Sequence, residues 1–279
     1  MLNTAYSDAI KFTKSHYENF PVISLFIPKK LRKHIAVIYQ FARQADDIAD
    51  EGNIAADDRL KELEKYRKRL RDALSNKYYN KFWNALHNTI IEKELTSEYF
   101  FYLIDAFEQD ITKKRYINFQ ELNDYCSKSA NPVGRIILEL FGVFDDEAKE
   151  YSDAICTALQ LTNFYQDTKI DVQEKGRIYF PLDELQKFNV KEEYLKLETA
   201  NNEFKKLLKF QIKRVRKLFK KGENLFPKLP GNLKRQIIIT VNSGEAILNK
   251  IENNNYDVLK KRPIMSKIDY FRIVLKSFR

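Results

Sequence analysis

Apolar residues recur at steps of three and four along most of the chain, the period that lines one face of an α-helix. Residues 31–51 carry Leu31, Ile35, Ile38, Ala42, Ala45 and Ala49 in this register. The stretch DDRLKELEKYRKRLRDAL at 57–74 repeats it, with Glu62 and Glu64 near one-turn distance of several Lys and Arg. The same pattern predicts helices over 98–111, 119–142, 145–172, 201–221 and 231–252, and a final turn or two near 266–277. Within 119–142, NPVG at 131–134 predicts a kink or break, because a proline inside a helix removes a backbone donor and crowds the preceding turn. Between the helices, FIPKK, EGN, GRIYFPLDEL, FPKLPGN and KKRPIMS read as breaks. No Ser/Gly-rich linker, low-complexity tract or short repeat is present, so the expectation is one all-α domain over residues 1–279.

Composition agrees with that reading and narrows the partners. Hydrophobic residues make up 44% of 279, enough for a substantial core, whereas 7 Gly and 7 Pro leave too little turn chemistry for a hairpin-rich β protein. Two cysteines, Cys126 and Cys156, form neither a metal-ligand spacing nor a disulfide framework, and a reducing cytoplasm is the expected compartment. The first twenty residues lack the apolar run of a signal peptide, and no stretch approaches the roughly 20 apolar residues of a membrane span. A net charge of +10 points to an anionic partner: nucleic acid, anionic lipid or a phosphorylated substrate.

Against that positive balance, two helices concentrate oxygen donors. In YQFARQADDIADE (39–51), residues four apart lie about 40° from one another around the axis. Tyr39, Arg43, Asp46 and Asp50 therefore share a stripe, with Asp47 to one side. In TALQLTNFYQDTKID (157–171), Gln160, Asn163, Asp167 and Asp171 step by three, four and four along another. Hard oxygen ligands on rigid supports suit Mg²⁺, which keeps several waters and takes one or two carboxylates plus substrate phosphate oxygens. A single DxxxD on a charged helix is most often a solvated face. Here there are two stripes of similar design, each flanked by small and apolar residues, and buried carboxylates are costly without a cation. Two such helices facing each other would clamp a diphosphate through metal ions.

These residues carry a resemblance. From HYENFPVISLFIPKKLRKHIAVIYQFARQADDIADEG through YCSKSANPVGRIILELFG and QLTNFYQDTKIDVQEKGRIYFP to NKIENNNYDVLKKRP, the chain resembles the squalene/phytoene synthases that join prenyl diphosphates head to head. The resemblance implies an all-α isoprenoid-synthase fold, a helical bundle around a central cavity. It implies Mg²⁺ held by Asp46 and Asp50 on one helix and by Asn163, Asp167 and Asp171 on the other, with Asp47 and Gln160 beside them. Arg43, Arg177 and His16 fall at positions that hold diphosphate, and Tyr39 at a tyrosine near the substrate. Several positions depart from the usual pattern. Tyr17, Glu18 and Asn19 follow His16 where serines are common, and Gln166 precedes Asp167 where an arginine is common. YCSKSANPVG places Ser127, Lys128, Asn131 and Pro132 beside the expected cavity, and VNSGEAIL replaces a tyrosine-bearing segment. Together these features resemble the hydroxysqualene synthase branch of bacterial squalene and hopanoid pathways.

That branch implies ionisation of presqualene diphosphate and capture of the rearranged cation by water. Phe20, Phe41, Phe141, Phe164 and Tyr165 are candidates for cation-facing walls, although core packing is the commoner role of any one of them, and Asn131 is a candidate polar spot for the water. No glycine-rich dinucleotide fingerprint is present, and the branch needs no NADPH. Implied partners are a prenyl diphosphate substrate and other enzymes of the same pathway. The basic segment FKKLLKFQIKRVRKLFKK at 204–221 has a stripe of Phe204, Leu208, Ile212, Val215 and Phe219. It reads first as a core helix with a solvated basic face, and second as peripheral contact with the inner face of a membrane. Trp83 reads as core, and His34 and His87 as surface or helix-end residues. The competing class, a basic helical module for membrane or nucleic acid, explains the charge but not two rows of oxygen ligands. No nucleic-acid-binding signature is present, and nucleic acid is not an expected partner.

Overall fold

The computed structural model describes residues 2–15, 27–52 and 54–277. They form helices and connecting turns, with no strand among the described residues. By backbone contacts the chain divides into two compact helical units.

The first unit comprises the residues up to Thr112 together with Pro132–Phe144 and Pro230–Gln236. Its helices are α1 (Leu2–Ser15), α2 (Lys29–Asp50), α3 (Ala56–Leu74), α4 (Lys81–Glu92) and α5 (Glu98–Thr112), joined by most of α7 (Asn131–Leu140). Helix α2 is central: it packs on α1, α3, α4 and α5 and buries Leu31, Ile35, Val37, Ile38, Phe41, Ala45 and Ala49. Phe41 is fully buried amid Tyr66, Phe100 and Trp83, at ring-centroid distances of 5.2, 5.3 and 6.1 Å. The contacts to Phe100 and Trp83 are edge-on and that to Tyr66 is tilted; edge-on pairs add about 0.5–1.5 kcal/mol each beyond the area they bury. Trp83 is core, as its apolar surroundings predict. Phe41 belongs to the same cluster, so its candidacy as a cation wall gives way to packing.

His34 departs from expectation. It is fully buried, with Nδ1 3.0 Å from Thr89 Oγ1 and Nε2 3.3 Å from Glu92 Oε1. The Tyr6 hydroxyl lies 2.9 Å from the same Thr89 oxygen and donates to the Ala85 carbonyl, so the imidazole belongs to a polar knot tying α1 and α4 to α2. A lone histidine on a charged helix reads as surface because its partners lie 55 and more residues away in the sequence. His87 does sit at the surface, beside the exposed Tyr78 hydroxyl at 2.9 Å.

The second unit comprises Lys113–Asn131, Asp145–Leu229 and the residues from Ile237 onward. Its helices are α6 (Phe119–Ser129), α8 (Asp146–Gln166), α9 (Thr168–Gln173), α10 (Leu182–Lys187), α11 (Asn202–Gly222), most of α12 (Gly231–Asn253) and α13 (Lys267–Lys276). Helix starts follow local capping chemistry. Asn118, Asp145 and Asn201 accept backbone N–H groups of α6, α8 and α11, and Ser266 with Asp269 closes a capping box on α13. The break expected in 119–142 falls at Ala130, and Pro132 enters the first turn of α7, where its missing donor costs little.

The long expected helix 145–172 is interrupted once, at Asp167 (φ −102°, ψ 12°). Helix α11 lies along α8, and its stripe of Phe204, Leu208, Ile212, Val215 and Phe219 is no more than 1% exposed. The core reading of 204–221 therefore holds, and the stripe is not free to enter a bilayer.

Candidate functional site

In the first unit, the polar face of α2 opposes its apolar face. Tyr39, Arg43, Asp46, Asp47 and Asp50 are all partly exposed, while Ile38, Phe41, Ala45 and Ala49 are buried. The helical period thus brings the expected residues onto one strip. Arg43 sits among three carboxylates: Nη1 is 3.3 Å from Asp46, Nε 2.6 Å from Asp47 and Nη2 2.7 Å from Glu51. The Nε contact lies off the N–H axis, so it is ionic rather than a hydrogen bond. Partial burial works against the arginine's charge, but Asp46, Asp47 and Glu51 outweigh it and raise its pKa. Arg43 is thus engaged by its own helix, and gripping an anion requires it to exchange carboxylate partners.

The end of this strip is set by a residue that sequence patterning did not single out. Arg59 of α3 donates to the carbonyls of Ile48 (2.8 Å), Gly52 (2.6 Å) and Ile54 (3.2 Å). A cation on the last carbonyls of a helix satisfies orphan acceptors and matches the negative end of the helix dipole. It pins the turn that carries Asp50. Gly52 reverses the chain there at φ 75°, a left-handed conformation suited to glycine.

In the second unit, Asn163, Asp167 and Asp171 are linked through the backbone. Asp167 N–H donates to the Asn163 carbonyl (2.8 Å) and Asp171 N–H to that of Asp167 (2.9 Å). The interruption at Asp167 therefore preserves the four-residue register, and the row runs unbroken from α8 into α9. Gln160 lies one turn earlier and is partly exposed. Asp171 is 9% exposed and Arg177 5%; the Arg177 N–H donates to the Asp171 carbonyl at 2.8 Å, folding GRIYFP back onto the row. Gly176, at φ 64°, makes that reversal, and its carbonyl accepts from Arg115 Nη1 at 2.6 Å.

Arg262 joins this row and was missed by sequence reading. Its guanidinium pairs with both oxygens of Asp167. The segment YDVLKKRP is shaped for this by Asp257, whose Oδ1 accepts from Ala200 N–H (2.9 Å) and Lys260 N–H (3.1 Å). Gln166, where an arginine was the usual residue, is 2% exposed and donates Nε2 to the Pro263 carbonyl at 2.6 Å. The amide thus fastens α8 to the segment that delivers Arg262. The only sequence signal for Arg262 was its place in a quoted motif, since 95 residues separate it from Asp167.

Rings line the same unit. Phe164 stacks on Tyr179 at 3.6 Å and 3°, and Tyr179 in turn meets Tyr116 (5.9 Å) and Tyr125 (6.0 Å). Tyr165 instead points to the core: it stacks on Phe180, and its hydroxyl donates to Gln211 Oε1 at 2.9 Å. Burial pushes its pKa far above the usual range. Of the expected ring walls, Phe164 gains companions in Tyr116, Tyr125 and Tyr179, and Tyr165 is structural. Phe141 is partly buried against the core of the first unit. Asn131 is buried, and its Oδ1 accepts from Thr157 Oγ1 at 3.0 Å. His16 and Phe20 lie outside the described residues.

The donor types suit magnesium: carboxylates and an amide on helical supports, each row partly exposed. Among the described residues no group of three or more acidic, histidine or cysteine side chains is placed to hold a metal ion as it stands. In this structure Asp46, Asp47 and Asp167 are instead balanced by Arg43 and Arg262.

The family profile described as squalene/phytoene synthase matches residues 13–269. The chain belongs to the squalene/phytoene synthase family. A crystal structure described as squalene synthase HpnC from Alicyclobacillus acidocaldarius superposes with a TM-score of 0.86 at 37% identity, over 91% of this chain and 95% of that one. The hydroxysqualene synthase of Zymomonas mobilis is 39% identical over 189 residues, 65% of this chain and 61% of that enzyme. The chloroplastic phytoene synthase of Daucus carota is 28% identical over 96% of this chain, which spans 68% of that enzyme's length. The fold is thereby that of an isoprenoid synthase, and a prenyl diphosphate is the substrate type consistent with the family. No helix of the described residues is long and apolar enough to cross a membrane.

Proposed function

We propose that this chain, acting as one domain over 1–279, converts presqualene diphosphate to hydroxysqualene with the help of Mg²⁺. The observation that supports this branch is the gradient of similarity: 39% identity to a hydroxysqualene synthase and 37% to HpnC, against 28% to the carrot phytoene synthase. Asp46 and Asp50 on α2 and Asn163, Asp167 and Asp171 on α8 and α9 would hold the metal. When bound, Mg²⁺ withdraws charge from the leaving diphosphate as the C–O bond breaks.

The chain's own residues do the rest. Arg43 and Arg177 hold the released anion by charge-assisted hydrogen bonds. The diphosphate leaves with the bonding pair, the cyclopropylcarbinyl cation rearranges, water adds its oxygen to the new cationic carbon, and a proton is lost to solvent. Aromatic faces stabilise positive charge, and Phe164, stacked on Tyr179 at 3.6 Å, would offer the cation only the face turned away from that partner. The reaction consumes no reductant, so NADPH is not required.

A second reading is condensation of two prenyl diphosphates to presqualene diphosphate, phytoene or dehydrosqualene. It is favoured by the similarity to phytoene synthase over 96% of the chain. Product analysis by mass spectrometry separates the two. With Mg²⁺, presqualene diphosphate should yield hydroxysqualene, and farnesyl diphosphate alone should yield little. Robust condensation from a single prenyl diphosphate, with presqualene diphosphate left unconsumed, overturns the assignment.

A further inference from the structure

Helix α13 presents an apolar stripe that the fold leaves uncovered. Ile268, Phe271 and Leu275 step by three and four along it, and Ile264 extends the stripe from the preceding turn. Their exposures are 64%, 62%, 53% and 57%, unusually high for four neighbouring large apolar side chains. The opposite face is anchored. Ile273 is buried, Asp269 pairs with Lys250 of α12 at 2.8 Å, and the Ser266–Asp269 capping box fixes the first turn. The helix is therefore held in place while its outer stripe faces solvent.

Charge is distributed to match. Around the axis, at about 100° per residue, Lys267 lies on one side of the stripe and Arg272 and Lys276 on the other, all exposed. Lys260 and Lys261 precede the helix, and Asp269, turned inward to Lys250, is the one acidic residue between 258 and 277. An exposed apolar ridge flanked on both sides by cations is the arrangement of a helix lying in a membrane interface. There the ridge enters the acyl boundary while lysine and arginine stems reach back to anionic headgroups. A protein partner would need no such symmetric cationic flanks.

We infer that α13 docks this protein on an anionic membrane surface, with Ile268, Phe271 and Leu275 inserted and Lys267, Arg272 and Lys276 at the headgroups. This surface is distinct from the α11 stripe, which is core, and the inference does not depend on which reaction the enzyme catalyses.

The test is co-sedimentation of the full chain with phosphatidylcholine vesicles and with vesicles containing phosphatidylglycerol. Wild type should bind the anionic vesicles, more weakly as salt rises, and bind neutral ones poorly. I268S/F271S changes two exposed positions. It should keep its circular dichroism and lose binding by about tenfold or more, because the buried apolar area drives insertion. R272Q/K276Q should weaken binding to anionic vesicles only and flatten its salt dependence. K213Q/K217Q on the solvated face of α11 should leave binding unchanged. The inference fails if wild type ignores anionic vesicles or if I268S/F271S binds like wild type. It also fails if that variant instead converts a dimer to a monomer with vesicle binding intact, which would assign the stripe to a second copy of the chain.

Discussion

Acidification should loosen the helix that carries the first carboxylate row, and His34 sets the size of the effect. Burial disfavours the charged imidazole and, despite the opposing pull of Glu92, lowers its pKa from 6.5 to about 4. A histidine whose folded pKa is depressed contributes stability that is fully present above its unfolded pKa and is lost as pH falls through the folded one. The window here runs from about 6.5 down to about 4. Linkage between those two values gives a loss that is small at about pH 7 and grows to about 1 kcal/mol at pH 6 and about 2 kcal/mol at pH 5, relative to the fully neutral state. Between about pH 7 and 5 the net change is therefore about 2 kcal/mol, a sizeable fraction of ordinary domain stability.

Urea unfolding of wild type and His34→Gln at those pH values measures it. The variant lowers stability at neutral pH but should remove the His34 contribution to the pH slope, so the two curves converge on acidification. Parallel curves would refute the reasoning, as would a native-state imidazole titrating near 6.5 by NMR. Either would mean that the Tyr6–Thr89–His34 knot accepts a proton without opening.

Other expectations concern the site and the packing that supports it. Asp46→Asn and Asp167→Asn should each cut diphosphate release from presqualene diphosphate by about 10²-fold or more, as loss of a group that stabilises transition-state charge does. Chelation of Mg²⁺ should abolish turnover reversibly, and near-wild-type release in either variant would remove that residue from the metal set. Trp83→Ala, at the centre of the α2 aromatic cluster, should cost about 3–5 kcal/mol in denaturant unfolding. Gly244→Ala places a methyl 2.7 Å from Phe219 Cζ and 3.1 Å from Leu159 Cδ2. Overpacking of about 1–3 kcal/mol should outweigh the gain in helix propensity of about 1 kcal/mol and lower the thermal midpoint.

The helical architecture and the two oxygen-bearing rows were legible because both depend on local periodicity. Steps of three and four put Ile38, Phe41, Ala45 and Ala49 on one side of α2 and Asp46 and Asp50 on the other, whatever the rest of the chain does. The break at Asp167 was not anticipated, yet the row survived it, because the carbonyl–amide pairs from Asn163 to Asp171 hold the register. The amphipathic period of 204–221 likewise marked an apolar face without saying what covers it. A packed neighbour and a bilayer ask for the same pattern, and only α8 lying against α11 distinguishes them.

Long-range partners were invisible for the same physical reason. Periodicity reports what a residue does within its own helix, while burial and charge balance depend on segments that arrive from far along the chain. His34 was misplaced because Thr89 closes over it from α4. Arg262 was overlooked because Asp257 must first bend its segment before the guanidinium reaches Asp167. Arg59 was ordinary until it met the carbonyl end of α2. The amino-acid order thus dictates which side chains share a face; chain folding over tens of residues brings Arg262 to Asp167 and decides which apolar stripe the fold leaves uncovered.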